Sequence, residues 1–188
     1  MEKNLSALGF MSGTSGDGVD TSVISSNGKD IIDIKYNRFD PYPKNLSNKI
    51  HRVKENISER QDLLRYSSDI EDLEIQVTNF HADIANKVPK EINFDLIGFH
   101  GHTIYHNTEE KISKQIGLGM NLSRITNKTV VYDFRQNDIK NGGEGAPLSP
   151  IYHVALIKTL FNKNKVKVPV SILNIGGIAN ITEIDEEF

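Results

Sequence analysis

Leu8-Gly9-Phe10-Met11-Ser12-Gly13-Thr14-Ser15-Gly16-Asp17-Gly18-Val19-Asp20 sets glycines, hydroxyls and two carboxylates between two apolar runs. Leu8, Phe10 and Met11 before the turn, and Val19, Val23 and Ile24 after it, read as strands. The chain therefore reverses over the glycines and exposes its amides there. Backbone N–H groups of such a turn can surround an anion, Thr14 and Ser15 can donate further bonds, and Asp17 is placed to hold a magnesium ion, directly or through water. A phosphate loop is one reading. A glycine-rich hairpin whose hydroxyls only satisfy the turn is the other.

Outward from this turn, Asn27-Gly28 is a turn signal and the run from Ile31 to Tyr36 a third strand, so three antiparallel strands come first. Pro41 and Pro43 end that sheet. Two helical stretches follow, the second with Ile70, Leu73, Val77, Phe80 and Ile84 at spacings that mark a core-facing stripe. Phe94 to His100 is a short apolar run suited to a buried strand, and its end carries His100-Gly101-His102-Thr103. A helix around Asn121 to Thr126 then precedes Thr129-Val130-Val131-Tyr132, a second buried-strand candidate that delivers Asp133-Phe134-Arg135. Strand, helix, strand implies a right-handed parallel crossover.

The stretch Asn141 to Pro147 is too glycine-rich to be regular, and a helix beyond Pro150, through Tyr152, Ala155, Leu156 and Leu160, runs into a connector with Lys163, Lys165 and Lys167. A domain boundary is expected there, with residues 1–165 before it and 166–188 after it. Past it, Ile172 to Thr182 repeats the opening device: apolar strand, glycine turn, apolar strand. Two such hairpins suggest a duplicated domain with nucleotide phosphates held between the halves; chance similarity of short segments competes with that reading.

The 188 residues are 37% hydrophobic and 25% charged, which suits a folded chain with one sizeable core or two small ones. A formal net charge of −3 gives no electrostatic case for nucleic acid. The absence of cysteine excludes disulfides and thiolate metal sites. No run approaches a membrane span and the first residues do not form a signal-peptide core, so a cytoplasmic protein with no membrane partner is expected.

Six stretches in order carry a resemblance: residues 11–20, His100-Gly101-His102-Thr103, Gln115-Ile116-Gly117, Asp133-Phe134-Arg135, the loop from Gly142 to Pro147, and Leu173 to Asn180. Together they resemble the anhydro-N-acetylmuramic acid kinase family over essentially the whole chain. The resemblance implies an α/β, actin-like, sugar-kinase-type ATPase fold, a mixed sheet flanked by helices, with a second domain truncated here. It implies a reaction of cell-wall recycling in which 1,6-anhydro-N-acetylmuramic acid, ATP and water give N-acetylmuramic acid 6-phosphate and ADP, with Mg2+ as cofactor. Water must attack the anomeric carbon while the anhydro bridge opens and O6 takes the γ-phosphoryl group. Such a site needs a base, a metal and rigid positioning.

By the same resemblance Gly13, Thr14, Ser15, Gly16, Asp17, Gly18, Val19 and Asp20 face the nucleotide phosphates, with Asp17 as the metal residue. Gly176, Gly177 and Asn180 form the second phosphate-side hairpin. His100, Gly101, Thr103, Asp133 and Arg135 lie on the sugar side or hold its loops, and Arg135 suits a lactyl carboxylate; for Asp133 and Arg135 a mutual salt bridge is the structural alternative. Gly16 stands where the family usually has Leu, which should loosen the turn, and His102 where it usually has Gln. The family continues into a Gly-Phe-Asp-Thr-Gly-Pro-Gly-Asn stretch bearing the base, which is therefore expected to lie beyond Phe188. The catalytic residue is accordingly unknown here, the isolated chain is expected to be inactive, and a separately encoded C-terminal half is an expected partner. The family's tendency to dimerise makes a homodimer another. Two further readings compete. His100, His102 and His106, with Asp133, would serve a metal-dependent hydrolase. A non-catalytic nucleotide- or sugar-binding remnant would instead expose the open edge of its last hairpin.

Overall fold

The computed structural model describes residues 4–29, 32–175 and 179–185. Strands β1 (Leu5–Met11), β2 (Gly18–Ser26) and β3 (Ile32–Pro41) form the expected antiparallel meander, in register from Leu5 opposite Ser26 to Met11 opposite Asp20. Pro43 then opens helix α1 (Lys44–Asn56), whose Leu46, Ile50 and Val53 recur at four and three residues and are buried. A short α2 (Arg60–Arg65) leads to α3 (Ser67–Asn86), where the predicted stripe holds: Ile70, Leu73, Val77 and Ile84 are buried and Phe80 packs against the same cluster.

Strand β4 (Leu96–Phe99) returns to lie parallel to β1, with Ala7 beside Leu96 and Gly9 beside Gly98. The hairpin of β5 (His102–Asn107) and β6 (Ile112–Ile116) comes next, then α4 (Gly119–Thr126) and β7 (Thr129–Tyr132), parallel to β4. The five-stranded sheet thus has the order β3-β2-β1-β4-β7. Leu8, Val19, Val23, Ile97 and Phe99 from its strands share one buried cluster with Ile50, Leu73, Val77, Ile116 and Leu122. That shared burial is the main term holding helices to sheet.

Strand β7 departs from expectation. It lies at the sheet edge, with Val131 and Tyr132 more than two-fifths exposed, because no strand among the described residues pairs with its outer side. Beyond it come α5 (Phe134–Lys140), which buries no residue completely, and α6 (Pro150–Asn162), which touches β3. The lysine connector after α6 is exposed and irregular, and β8 (Val170–Asn174) pairs with β9 (Asn180–Ile184) as a separate two-stranded sheet. Helix α6 holds that hairpin: His153 Nδ1 lies 2.8 Å from Thr182 Oγ1. The turn at Gly176 and Gly177 lies outside the described residues, as does Phe188, the position past which the catalytic base is expected. No helix among the described residues is long and apolar enough to cross a membrane.

Candidate functional site

The glycine turn between β1 and β2 is held from beneath. Gly16 N–H donates to the Gly13 carbonyl at 3.0 Å, closing a four-residue turn. Ser47 Oγ of α1 donates to the Gly16 carbonyl at 2.8 Å, Lys54 Nζ to the Thr14 carbonyl at 2.8 Å, and Tyr42 N–H to the Asp17 carbonyl at 2.9 Å. A trans peptide points its N–H opposite its carbonyl, so tying the Thr14 carbonyl to α1 turns the Ser15 N–H the other way. Thr14 and Ser15 line a cleft. Gly16 has φ +63°, and a Cβ there would come within 3.1 Å of His51 Nε2. Gly16 thus takes a left-handed conformation that glycine adopts without strain, whatever looseness its missing side chain brings to the turn.

Asp17 is exposed beside the turn, and its carboxylate accepts from Ser15 Oγ at 2.7 Å. That bond, with the N–H groups of Asp17 and Gly18, holds the carboxyl below the usual carboxylate range and keeps it ionised. Removing the α1 tethers with Ser47→Ala and Lys54→Met together should speed exchange of the Gly16 amide about tenfold, read by NMR. Unchanged exchange would mean that the backbone bonds alone secure the turn.

Two clefts meet above the sheet. The first, about 590 Å³, is lined by Met11 to Ser15, His100, Thr103, Arg135, Asn174 and Ile175. The second, about 1110 Å³, has His100, Arg135 and Asn174 in common with it and adds Phe134, Glu144, Pro147 and Asn180 among others. Arg135 and His100 stand at the junction: Arg135 Nε donates to His100 Nε2 at 2.7 Å and Arg135 Nη1 to the Gly145 carbonyl at 2.6 Å. Burial, and then the adjacent guanidinium, push the His100 pKa below the ordinary histidine value. The Asp133–Arg135 salt bridge, the structural alternative to substrate contact, does not form. Asp133 instead takes φ +63° ahead of α5 and lines a third, small cleft with Glu74, Lys114 and Gln115, which His100 also borders.

The three histidines of the metal reading do not converge. His102 is fully buried, its Nδ1 2.7 Å from Ser12 Oγ, which in turn lies 2.8 Å from the Tyr42 hydroxyl. His106 Nδ1 is 3.0 Å from Ser113 Oγ, and His100 Nε2 is taken by Arg135. Among the described residues no group of three or more histidine and carboxylate side chains is placed to hold a metal. His102 closes β1 onto β5, through a bridge with Ser12.

Of the sequence-predicted residues, Gly13, Thr14, Ser15, His100, Thr103 and Arg135 come together around the first cleft, and Asn180 reaches the second. Asn180 Oδ1 is buried there without a partner among the described residues. Val19 is core, Gly18 is buried beside Phe39, and Asp20 lies on the outer surface of β2 with Asn37 and Arg38. Gly101 lines neither cleft. Gly176, Gly177 and Phe188 lie outside the described residues, so the second phosphate-side turn and the approach to the expected base have no geometry to set beside these. Ser47 and Lys54 carried no signal in the sequence, because an amphipathic helix gives the same pattern whether or not its polar groups reach a loop. Glu144 sits in the glycine-rich stretch that sequence could only read as irregular.

Comparison with known proteins adds to this geometry. The family model for Anhydro-N-acetylmuramic acid kinase matches residues 5–187. A curated protein of that name from Pelagibacter ubique is 47% identical over 97% of this chain and 48% of its own length. Those from Bradyrhizobium diazoefficiens and Agrobacterium fabrum are 36% and 37% identical over 96% of this chain, and 50% and 49% of theirs. The chain spans about half the length of the curated relatives it matches. With a glycine turn tethered to α1, a junction of two clefts at Arg135 and a match over nearly every residue, the chain belongs to the anhydro-N-acetylmuramic acid kinase family.

Proposed function

We propose that the chain supplies one wall of an ATP-dependent kinase that opens and 6-phosphorylates 1,6-anhydro-N-acetylmuramic acid in the cytoplasm. The meeting of a phosphate-type turn with a polar junction, Arg135 on His100, supports this most directly. The γ-phosphate would lie against Gly13, Thr14 and Ser15, where the tethered Thr14 carbonyl turns the Ser15 N–H away from α1. The sugar would lie toward His100, Thr103 and Arg135. Residues 1–165 then form the first domain and residues 166–188 belong to a second.

Asp17, an ionised carboxylate beside the turn, is the one residue here that would hold magnesium, with phosphate oxygens and water completing its shell, and bound there the ion would neutralise phosphate charge. The chain's own residues do the rest: the turn orients the phosphate chain, Arg135 orients the sugar, and the walls of the clefts limit water. A base for the attacking water is proposed to come from the half of the relatives that these residues do not match. That half, or a second copy of the chain, is the proposed protein partner.

Purified 188-residue chain, assayed for ATP-dependent phosphorylation of the anhydro sugar, should show no turnover. Addition of a polypeptide corresponding to the unmatched half of the Pelagibacter relative should restore it. Turnover by the chain alone would refute the division of labour. Failure to phosphorylate this sugar in the reconstituted pair would refute the substrate.

A further inference from the structure

Arg135 is partly buried at the cleft junction, and among the described residues both of its hydrogen-bond partners are neutral: the His100 ring nitrogen and the Gly145 carbonyl. A guanidinium carries five N–H donors, so two named bonds leave three for a ligand. Burial pulls the Arg135 pKa down, yet the group stays cationic in proteins. A desolvated cation without a carboxylate partner is a site whose electrostatics are completed by an anion brought from outside.

His100 is what aims it. Accepting from Arg135 Nε requires a lone pair on Nε2, which places the ring hydrogen on Nδ1, and that nitrogen lies 3.0 Å from the Gly101 carbonyl. Both ring nitrogens are thus engaged and the imidazole cannot turn without losing a bond. Gly145, the other anchor, is itself fixed: its N–H donates to Asp138 Oδ2 at 2.8 Å. Arg135 is held on two sides by groups that are themselves held.

We propose that His100 is a positioning residue that selects for an anionic substituent on the ligand, a carboxylate on the sugar, by holding the Arg135 guanidinium square to the cleft junction. This rests on the sugar-kinase reading of the site. The same chemistry would suit a phosphate oxygen, since Arg135 lines both clefts. Charge-assisted bidentate pairing depends on the plane of the guanidinium, so an unanchored arginine loses discrimination before it loses general affinity.

The test uses calorimetry on the 188-residue chain, paired with the polypeptide corresponding to the unmatched half of the Pelagibacter relative, with three probes: 1,6-anhydro-N-acetylmuramic acid, 1,6-anhydro-N-acetylglucosamine, which shares the ring and lacks the lactyl carboxylate, and inorganic phosphate. The wild type should prefer the carboxylate-bearing sugar. His100→Ala should cut that preference about tenfold, weakening the carboxylate-bearing sugar far more than the sugar without it, and His100→Gln, whose amide oxygen can accept from Arg135 Nε, should restore most of it. A purely structural role would weaken both sugars alike and would overturn the proposal. So would a His100-dependent affinity for phosphate with no preference between the sugars, which moves the anion to the nucleotide side. Binding of neither sugar by the wild type overturns the sugar-kinase reading and this inference together; an unaltered preference in His100→Ala overturns this inference alone.

Discussion

Acidification from pH 6.5 to pH 4 is expected to remove several kcal/mol of folding stability, through two buried histidines. His81 of α3 is fully enclosed, its Nδ1 2.7 Å from the Val77 carbonyl and its ring edge-on to Phe10 and Phe99 at 5.0 and 5.1 Å. His102 is equally enclosed between Ser12 and Tyr42. Burial lowers the pKa of each to about 4. Unfolded, both would take a proton near pH 6.5. Folded, they stay neutral until about pH 4, so across that window the unfolded chain binds more protons and stability falls as pH falls. The loss is about 3 kcal/mol for each ring and stops growing below about pH 4. Net stabilities are commonly only about 5–15 kcal/mol, so the chain should approach unfolding before its carboxylates titrate. Urea midpoints measured from pH 7.5 to 4 would show it, and His81→Leu should halve the slope. A midpoint that stays level between pH 6.5 and 4.5 would contradict both burials.

Gly101→Ala should destabilise the chain by roughly 2–5 kcal/mol. Gly101 turns the chain between β4 and β5 at φ +75°, and a Cβ would overlap the backbone carbonyl of Ile116 in β6. Neither strand can yield cheaply: β4 is the centre of the parallel pairings, and Ile116 is fully buried. His100 and His102 flank this residue, so the substitution should disturb the Arg135 anchor and the Ser12 contact at once. A fall in melting temperature together with lost ligand binding is the expected pair of observations. Wild-type stability in Gly101→Ala would show that the loop has another conformation open to it. Of the two roles expected of Gly101 from sequence, sugar-side contact or holding the loop, its backbone conformation suits the second.

Much of the fold was legible because its signals are local. Asn27-Gly28, the apolar stripe of α3 and the paired prolines before α1 each point to one answer, and each element is present. The β5–β6 hairpin was not legible. Its strand reads His-Thr-Ile-Tyr-His-Asn, with little alternation, and the left-handed position of its turn is filled by Lys111 at φ +51° instead of glycine. Helix α5 escaped for a related reason: with no completely buried residue it needs no apolar period. Within the candidate site, Thr14, Ser15 and Arg135 were legible as residue types, since an anion needs donors. What sequence could not supply was the partner of each: Lys54 for the turn and His100 for Arg135, contacts across 40 and 35 positions. Val19 and Asp20 belong to the same motif string as Thr14 but follow the strand alternation, one side chain into the core and the next to the outer surface.

Strand order β3-β2-β1-β4-β7 divides the chain in time as well as in space. Strands β1 to β3 close on one another within residues 5–41, whereas the Ser6 N–H finds the Asp95 carboxylate only 89 positions later. On the ribosome the meander therefore emerges first, without cover, because Leu8, Val19 and Val23 share their core with Ile50, Leu73 and Val77. The earliest stretch able to bury them runs to the end of α3. Until β4 is synthesised, β1 is an unpaired edge in a half-made sheet, and that interval is when a nascent chain most needs a chaperone. The sheet then grows outward from β1 to β4 to β7 in the order of translation.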